Sequence, residues 1–259
     1  MAITRDTSQR RLQIRELVHQ QGSVQVAALA HRFGVSLQTV RKDLRYLAAC
    51  GIMTRAYGGA IDNNAIGGTL SEPAYESKRV IHLEDKRRIG KRAAQLVESG
   101  NTIVIDSGTT GIQLAEALPN IDITVVTNDF GVLSALAPKP NIHIIVLGGE
   151  LRRKNMAFYG GLTVDALDAI QVDKLFLGVD GFDLERGITT HYEPEAVLNR
   201  KMVEAARKVI AITDSSKFGK VCLHRIVPIT SLNTLISDAE TPDDVRQASR
   251  HLGFELLLA

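Results

Sequence analysis

The stretch GVSLQTVRKDLR, Gly34 to Arg45, decides how the chain is read, because it is a turn feeding a helix with two unlike faces. Ser36 stands where it can cap that helix. With Val40 set at zero and about 100° per residue, Leu37, Leu44 and Leu47 fall within about 60° of it. Gln38, Arg41, Lys42 and Arg45 fall at about 100° to 200° on the same projection. One face is apolar and core-seeking, the other basic and polar. Upstream, VAALAHRF over residues 26–33 forms a short amphipathic helix, and Gly34 supplies the tight turn of a helix-turn-helix. Farther upstream, residues 7–21 carry Leu12, Ile14, Leu17 and Val18 on a polar background, an amphipathic helix ended by Gly22 and followed by a short extended piece over 23–26. Downstream, residues 52–57 and Gly58-Gly59 read as a hairpin, the wing of a three-helix module spanning residues 1–60.

A helical hairpin with a solvated charged face has the same local pattern, and charge distribution separates the two readings. Residues 1–60 hold nine Lys+Arg against three Asp+Glu, net +6, and the other 199 hold 22 against 26, net −4. A basic module on a mildly acidic body is built to be drawn to phosphate.

The 259 residues, 44% hydrophobic and 23% charged, suffice for a small domain and a larger one, each with a core. Cys50 and Cys222 form no CxxC pair and no metal-ligand cluster with the seven histidines, which excludes a disulfide framework and a zinc site from the reading. The N-terminus lacks an apolar signal core, and no apolar run reaches the roughly 18 residues needed to span a bilayer. A soluble cytoplasmic protein, with no membrane partner and no cofactor, is expected.

Residues 61–78 mix Asn, Gly, Ser and Pro without a sustained period and read as a linker. Beyond them the pattern changes. A charged helix over 84–99 closed by Gly100, the β-branched run TIVID at 102–106, the Ser107-Gly108 turn and a helix over 109–118 begin an alternation of strand and helix. Strands at 123–127, 142–147, 175–179, 209–213 and 234–236 alternate with helices at 130–136, 162–170, 194–207 and 243–252. Strands that apolar are buried on both faces, so residues 79–259 are expected to form a mainly parallel sheet flanked by helices. Ligands of such sheets bind beyond the carboxyl ends of the strands. Polar clusters fall there: Asp106-Ser107-Gly108-Thr109-Thr110, Thr127-Asn128, Gly148-Gly149, Asp180-Gly181-Phe182-Asp183 and Asp214-Ser215-Ser216-Lys217.

The first cluster runs from a strand into a helix, presenting backbone N–H groups, hydroxyls and a positive helix terminus to one point, as a phosphate monoester requires. The same residues also make an ordinary strand-to-helix turn with a threonine cap, and both readings stand on the residues alone. Lys217 is placed to neutralise an anion or simply to be solvated. Asp180 and Asp183 as a catalytic pair carry little weight, since turn carboxylates usually cap or solvate. The histidines, His191 included, have no spacing that points to a triad or a metal.

Together these residues resemble the DeoR-type bacterial transcriptional regulators over essentially the whole chain. The module is similar to theirs in Gly22-Ser23-Val24, Leu29-Ala30, Phe33-Gly34-Val35-Ser36, Thr39-Val40-Arg41-Lys42-Asp43-Leu44, Leu47 and the wing Arg55-Ala56-Tyr57-Gly58-Gly59-Ala60. The resemblance implies DNA contacts from Ser36, Gln38, Thr39, Arg41, Lys42, Arg45, Arg55 and Tyr57. The rest resembles the family's effector domain through the strand-end clusters, Phe158-Tyr159-Gly160, Asp173-Lys174-Leu175-Phe176 and Gly178-Val179-Asp180-Gly181. That domain is similar to ribose-5-phosphate isomerase and implies a phosphorylated sugar as effector. On this resemblance Asp106, Ser107, Gly108, Thr109, Thr110 and Asn128 belong to the site, with Ser107 to Thr110 on the phosphate. Asp180, Asp183 and Glu195 face the sugar, and Lys217 assists with the anion. The isomerases follow their Asp-Gly-x-Asp with a lysine, whereas residues 184–190 here read LERGITT. That absence favours a binding domain over the rival reading, a sugar-phosphate isomerase or lyase with an accessory DNA-binding module. Residues 191–202, HYEPEAVLNRKM, look most like the amino-sugar and hexitol regulators. The expected protein is a repressor of a carbohydrate-utilisation operon, relieved by a phosphorylated sugar. It works on double-stranded operator DNA as a homodimer or higher even-numbered homo-oligomer.

Overall fold

In the N-terminal domain, Ser36 accepts the backbone N–H of Thr39 at 3.1 Å through its side chain, capping a helix that then runs to Ala49. Gly34, at φ 62° and ψ 35°, makes the left-handed turn that ends the preceding helix at little steric cost. The computed structural model describes residues 7–21, 23–50, 52–56, 59–62 and 75–259. Two units meet at the Ile81–His82 bond.

The first contains α1 (Thr7–Gln21), β1 (Ser23–Gln25), α2 (Val26–Phe33), α3 (Leu37–Ala49), β2 (Met53–Ala56), β3 (Gly59–Asp62) and α4 (Tyr75–Val80). The extended piece after α1 pairs antiparallel with β3, which pairs with β2, so the wing has three strands among the described residues. Ile14, Leu17, Val18, Leu29, Phe33, Val40, Leu44, Leu47 and Met53 close the core. Two details differ from the helical projection. Leu37, assigned to the core sector, is 47% exposed in the first turn of α3. Asp43, at about −60° on the same projection, is buried and bonded to Arg10 and Arg11 of α1.

The stretch expected as a linker is partly structured. Strand β3 continues to Asp62, and α4, free of Gly and Pro, occupies Tyr75–Val80. Residues 63–74 lie outside the described residues.

The second unit opens with α5 (Leu83–Ala94), β4 (Thr102–Ile105), α6 (Thr109–Ala117), β5 (Ile123–Thr127), α7 (Phe130–Leu136) and β6 (Ile142–Val146). A small hairpin follows, β7 (Glu150–Arg152) and β8 (Ala157–Tyr159), then α8 (Gly161–Asp165), β9 (Val172–Gly178), β10 (Gly181–Asp183) and β11 (Gly187–Thr190). The chain ends with α9 (Glu193–Ala205), β12 (Ala206–Ile212), β13 (His224–Val227), β14 (Thr234–Ser237), α10 (Asp243–Leu252) and β15 (Glu255–Leu258). Seven of the described strands form one sheet in the order β15-β14-β12-β9-β4-β5-β6, each pairing parallel. Parallel strands buried between helix layers need apolar residues on both faces, and Ile103, Val104, Ile105, Leu175, Phe176 and Leu177 are sealed from solvent.

Several elements were outside the sequence expectation: β7–β8, the antiparallel sheet β10-β11-β13, and β15. The helix expected over 84–99 stops at Ala94, and that over 162–170 is α8 followed by a 3-10 turn at Ala166–Ala169.

The strand order reverses at β4. From β4 the chain steps outward through β5 and β6, then returns to lay β9 on the other side of β4. At such a reversal two connections leave the carboxyl edge in opposite directions and open a crevice.

Candidate functional site

Two places can do chemistry of recognition, one in each unit. In the N-terminal unit Gln38, Arg41, Lys42 and Arg45 are all exposed along one face of α3. Ser36 and Thr39 are drawn together at its start, their hydroxyls 2.9 Å apart. Arg11 of α1 lays its guanidinium 3.9 Å from the ring centroid of Tyr46, which extends the cationic surface beside the helix. Backbone placement puts Arg55 in β2; its side chain and all of Tyr57 lie outside the described residues.

In the second unit the β4–β9 crevice gathers most of the residues singled out from the sequence. Asp106 leaves β4 and is nearly sealed, with its Oδ1 accepting the N–H of Ser107 at 2.7 Å. Its Oδ2 accepts the N–H of Gly178 on β9 and the side-chain amide of Asn199, each at 3.2 Å. Asp106 therefore pins the loop to the neighbouring strand. Burial pushes its carboxyl up to about 7, against the lowering effect of those N–H donors, with Asp129 and Asp180 adding to the rise. Asp129, next after Asn128, accepts the N–H of Val132 at 2.9 Å and of Gly108 at 3.1 Å, and burial raises it to about 6.

This corrects the expected loop chemistry. The N–H groups of Ser107 and Gly108 are taken by Asp106 and Asp129, because a sealed carboxylate must find donors. The donors left for an anion are those of Thr109, Thr110 and Gly111, the first turn of α6, which has no intrahelical acceptor for them.

Cations gather beyond the end of β12, the strand next to β9. Asp214, beyond β12, is pushed up by burial but held below the usual carboxylate range by Lys217, the Ser216 hydroxyl, Lys86 and His82. Lys86 was missed in the sequence, yet it is only 4% exposed. It shares the buried face of α5 with Ile89, Gly90 and Ala93. A lysine on an apolar stripe at i, i+3, i+4 and i+7 was the available signal.

Asp180 lies beside Asp106 and accepts the Thr190 hydroxyl at 3.5 Å. Glu195, in the first turn of α9, is near enough to Tyr159 to raise its phenol, though burial is the larger cause. The Tyr159 hydroxyl is 3.2 Å from that of Ser107 and accepts the Asn155 amide at 2.6 Å. Asn128 gives its amide N–H to the carbonyl of Phe158 at 3.0 Å. Asp183 is the second correction. It sits at the far end of β10, where its Oδ1 accepts the N–H groups of Glu185 and Arg186 at 3.0 and 2.8 Å. The tight β10–β11 turn claims that oxygen of the carboxylate.

Residues 10–65 match the DeoR-like helix-turn-helix domain, and residues 81–239 match the DeoR C terminal sensor domain. The chain is 40% identical over 253 residues to a protein of Escherichia coli O157:H7 named for transcriptional repression of the aga operon, covering 97% of this chain and 94% of that one. It is 32% identical over 252 residues to the glycerol-3-phosphate regulon repressor of Escherichia coli K12, covering 96% and 98%. A ribose 5-phosphate isomerase from Methanocaldococcus jannaschii aligns with 53% of this chain and 55% of its own at 17% identity, with a TM-score of 0.40. Among the described residues no helix is long and apolar enough to cross a membrane. The chain belongs to the DeoR family: it is a DNA-binding transcriptional regulator with a helix-turn-helix domain followed by the family's sensor domain.

Proposed function

We propose that the protein represses a carbohydrate-utilisation operon and is released from its operator by a phosphorylated sugar, without turning that sugar over. The observation that carries the sensing half is the first turn of α6, whose N–H groups have no intrahelical acceptor, at the β4–β9 strand reversal, with Lys217 and Lys86 gathered about Asp214 at the end of β12, the strand next to β9. Unpaired helical N–H groups and cations are the partners an anion takes. Exposed Gln38, Arg41, Lys42 and Arg45 carry the DNA half, with Ser36 and Thr39 holding the helix start, and Arg55 and Tyr57 assigned to the wing contacts. The names of the two bacterial relatives, one a repressor of the aga operon and the other of the glycerol-3-phosphate regulon, support the sign. Residues 184–190 offer no lysine to an isomerisation, which supports binding without catalysis. One short helix reads too few base pairs for a genomic address, so paired half-sites and a dimer or higher even-numbered assembly follow.

The test is to select operator fragments from genomic DNA with the purified full chain, then titrate sugar phosphates into the complex. One of them should weaken operator binding about 5- to 150-fold. A panel that leaves affinity unchanged removes the sensing reading, an effector that tightens binding reverses the sign, and steady turnover of a sugar phosphate restores the isomerase reading.

A further inference from the structure

Around Ser107 three buried side-chain amides share one defect. Asn128, Asn155 and Asn199 are 0%, 9% and 0% exposed, and the Oδ1 of each has no hydrogen-bond partner. Folded chains leave few such atoms, because a buried acceptor without a donor forfeits its hydration and gains nothing in return. Turning Asn128 or Asn199 over does not remove the defect. A turned Asn128 would set its oxygen against the carbonyl of Phe158, and a turned Asn199 would set it against the carboxylate of Asp106. In both, the orphaned atom is an acceptor.

These amides are not scattered. Asn199 is bonded to Asp106, Asn155 is bonded to Tyr159, and Tyr159 is bonded to Ser107 of the phosphate loop. Asn128 is tied through Phe158 to the same β7–β8 hairpin, whose Ala157 also bridges to Asp129. Tyr192 braces the hairpin with its ring edge-on to Tyr159 at 5.4 Å, and Arg152 lies 4.1 Å from the Tyr192 ring centroid. The anion end of the crevice is a set of donors; this end is a set of acceptors.

We propose that Asn155, Tyr159 and Asn199 form the sugar end of the effector site, accepting hydrogen bonds from hydroxyl or amine groups of the ligand, and that the β7–β8 hairpin thereby sets which phosphosugar is sensed. The inference rests on the sugar-phosphate reading above and adds the residues that discriminate. The Ser107 hydroxyl has two claims on it, Tyr159 and the anion. When it turns to the phosphate, the Tyr159 hydroxyl and the Asn155 amide are released toward the rest of the ligand. A site of unpaired acceptors rejects an analogue lacking the matching donor far more strongly than one shaped only by apolar contact.

The experiment compares the full chain with Asn155→Ala and Tyr159→Phe by titration calorimetry, after circular dichroism confirms the fold of each. The probes are glucose 6-phosphate, galactose 6-phosphate, galactosamine 6-phosphate, 2-deoxyglucose 6-phosphate, glycerol 3-phosphate and inorganic phosphate. The parent should prefer one sugar phosphate over its analogue lacking a donor by at least tenfold; hydroxyl and amine donors are separated by the galactose and galactosamine pair. Asn155→Ala should lose about tenfold in affinity for the preferred sugar phosphate and less than twofold for inorganic phosphate. Tyr159→Phe should flatten the preference while binding inorganic phosphate as well as or better than the parent, since Ser107 is freed. A purely structural role would weaken all probes together. If the parent discriminates and both variants keep its preference, the inference is overturned and the sensing function stands. If the parent binds no sugar phosphate better than inorganic phosphate, the sensing function falls and the inference with it.

Discussion

The Oδ2 of Asp43 lies 2.7 Å from the Nε of Arg10, with both side chains nearly sealed, so the only acid of α3 points away from the exposed face of Gln38, Arg41, Lys42 and Arg45. Arg11 adds a second bond to the other oxygen at 2.9 Å. A carboxylate on the outer face would repel phosphate; turned inward, it locks α1 to the recognition helix. Removing one partner of a buried pair strands the other charge, so Asp43→Ala should destabilise the N-terminal domain by about 3 to 5 kcal/mol. Chemical denaturation followed by hydrogen exchange at α1 and α3 amides measures it. A loss under about 1 kcal/mol would mean the pair is peripheral.

Leu37→Ala supplies the contrast. At 47% exposure, its truncation should leave stability within about 0.5 kcal/mol, whereas Leu44→Ala, at 1% exposure, should cost about 2 to 5 kcal/mol. Thermal melts of the two variants side by side decide the matter.

For the DNA face, Arg41→Ala and Lys42→Ala should each behave in one of two ways. A side chain that grips phosphate, once truncated, weakens every sequence alike and lowers the salt slope by about one. A side chain that reads a base edge costs about 1 to 3 kcal/mol on truncation and relaxes preference at one position only. Operator titrations at several salt concentrations read both. Unaltered affinity in the double variant would remove α3 from the interface.

At the sensor, Lys217→Ala should displace the effector dose response by the worth of a charge-assisted hydrogen bond, about 1.5 to 3 kcal/mol. Operator affinity without effector should hold, giving a regulator that is poorly induced. A normal dose response in Lys217→Ala and in Thr110→Val would place the anion elsewhere.

The sealed acids predict a pH dependence. Burial raises Asp106 to about 7 and Asp129 to about 6, above the ordinary unfolded value of about 4. Between those limits the folded chain binds more protons than the unfolded one, so stability falls as pH rises through about 4 to 7. Asp214 has the opposite sign, its lowered carboxyl giving stability that is lost only as pH drops below the usual carboxylate range. The sensor-domain melt should therefore decline between about pH 4 and 7. Asp106→Asn should flatten that decline whatever it does to the absolute melting point; an unchanged slope would remove Asp106 as its source.

Much of this was written plainly in the sequence. Runs such as TIVI at Thr102–Ile105 and ITVVT at Ile123–Thr127 carry strand character in their β-branching, and Gly34 with Ser36 marks the turn and cap of α3. The hairpin β7–β8 was not legible, because ELR and AFY are three residues each and no period survives that length. Leu37 was misplaced since periodicity gives a direction around the helix axis and says nothing of what packs at its end. Asp183 matched a motif, but only the turn's geometry shows which backbone donors take its carboxylate. Asn155 and Asn199 gave no signal, since an amide's unmet acceptor exists only once the fold surrounds it.

The close approach of two helices has a consequence for how a bound ligand is felt. A Cβ added at Gly90 of α5 would meet the backbone carbonyl carbon of Gln113 at 2.5 Å and the amide nitrogen of Leu114 at 2.7 Å, so α5 and α6 touch backbone to backbone there. Side chains elsewhere yield by changing rotamer; two bare backbones have nothing to yield. Any displacement of the first turn of α6 therefore bears on α5, the element that starts two residues beyond Ile81, the last residue of the first unit. One missing methyl group makes the two helices a single body.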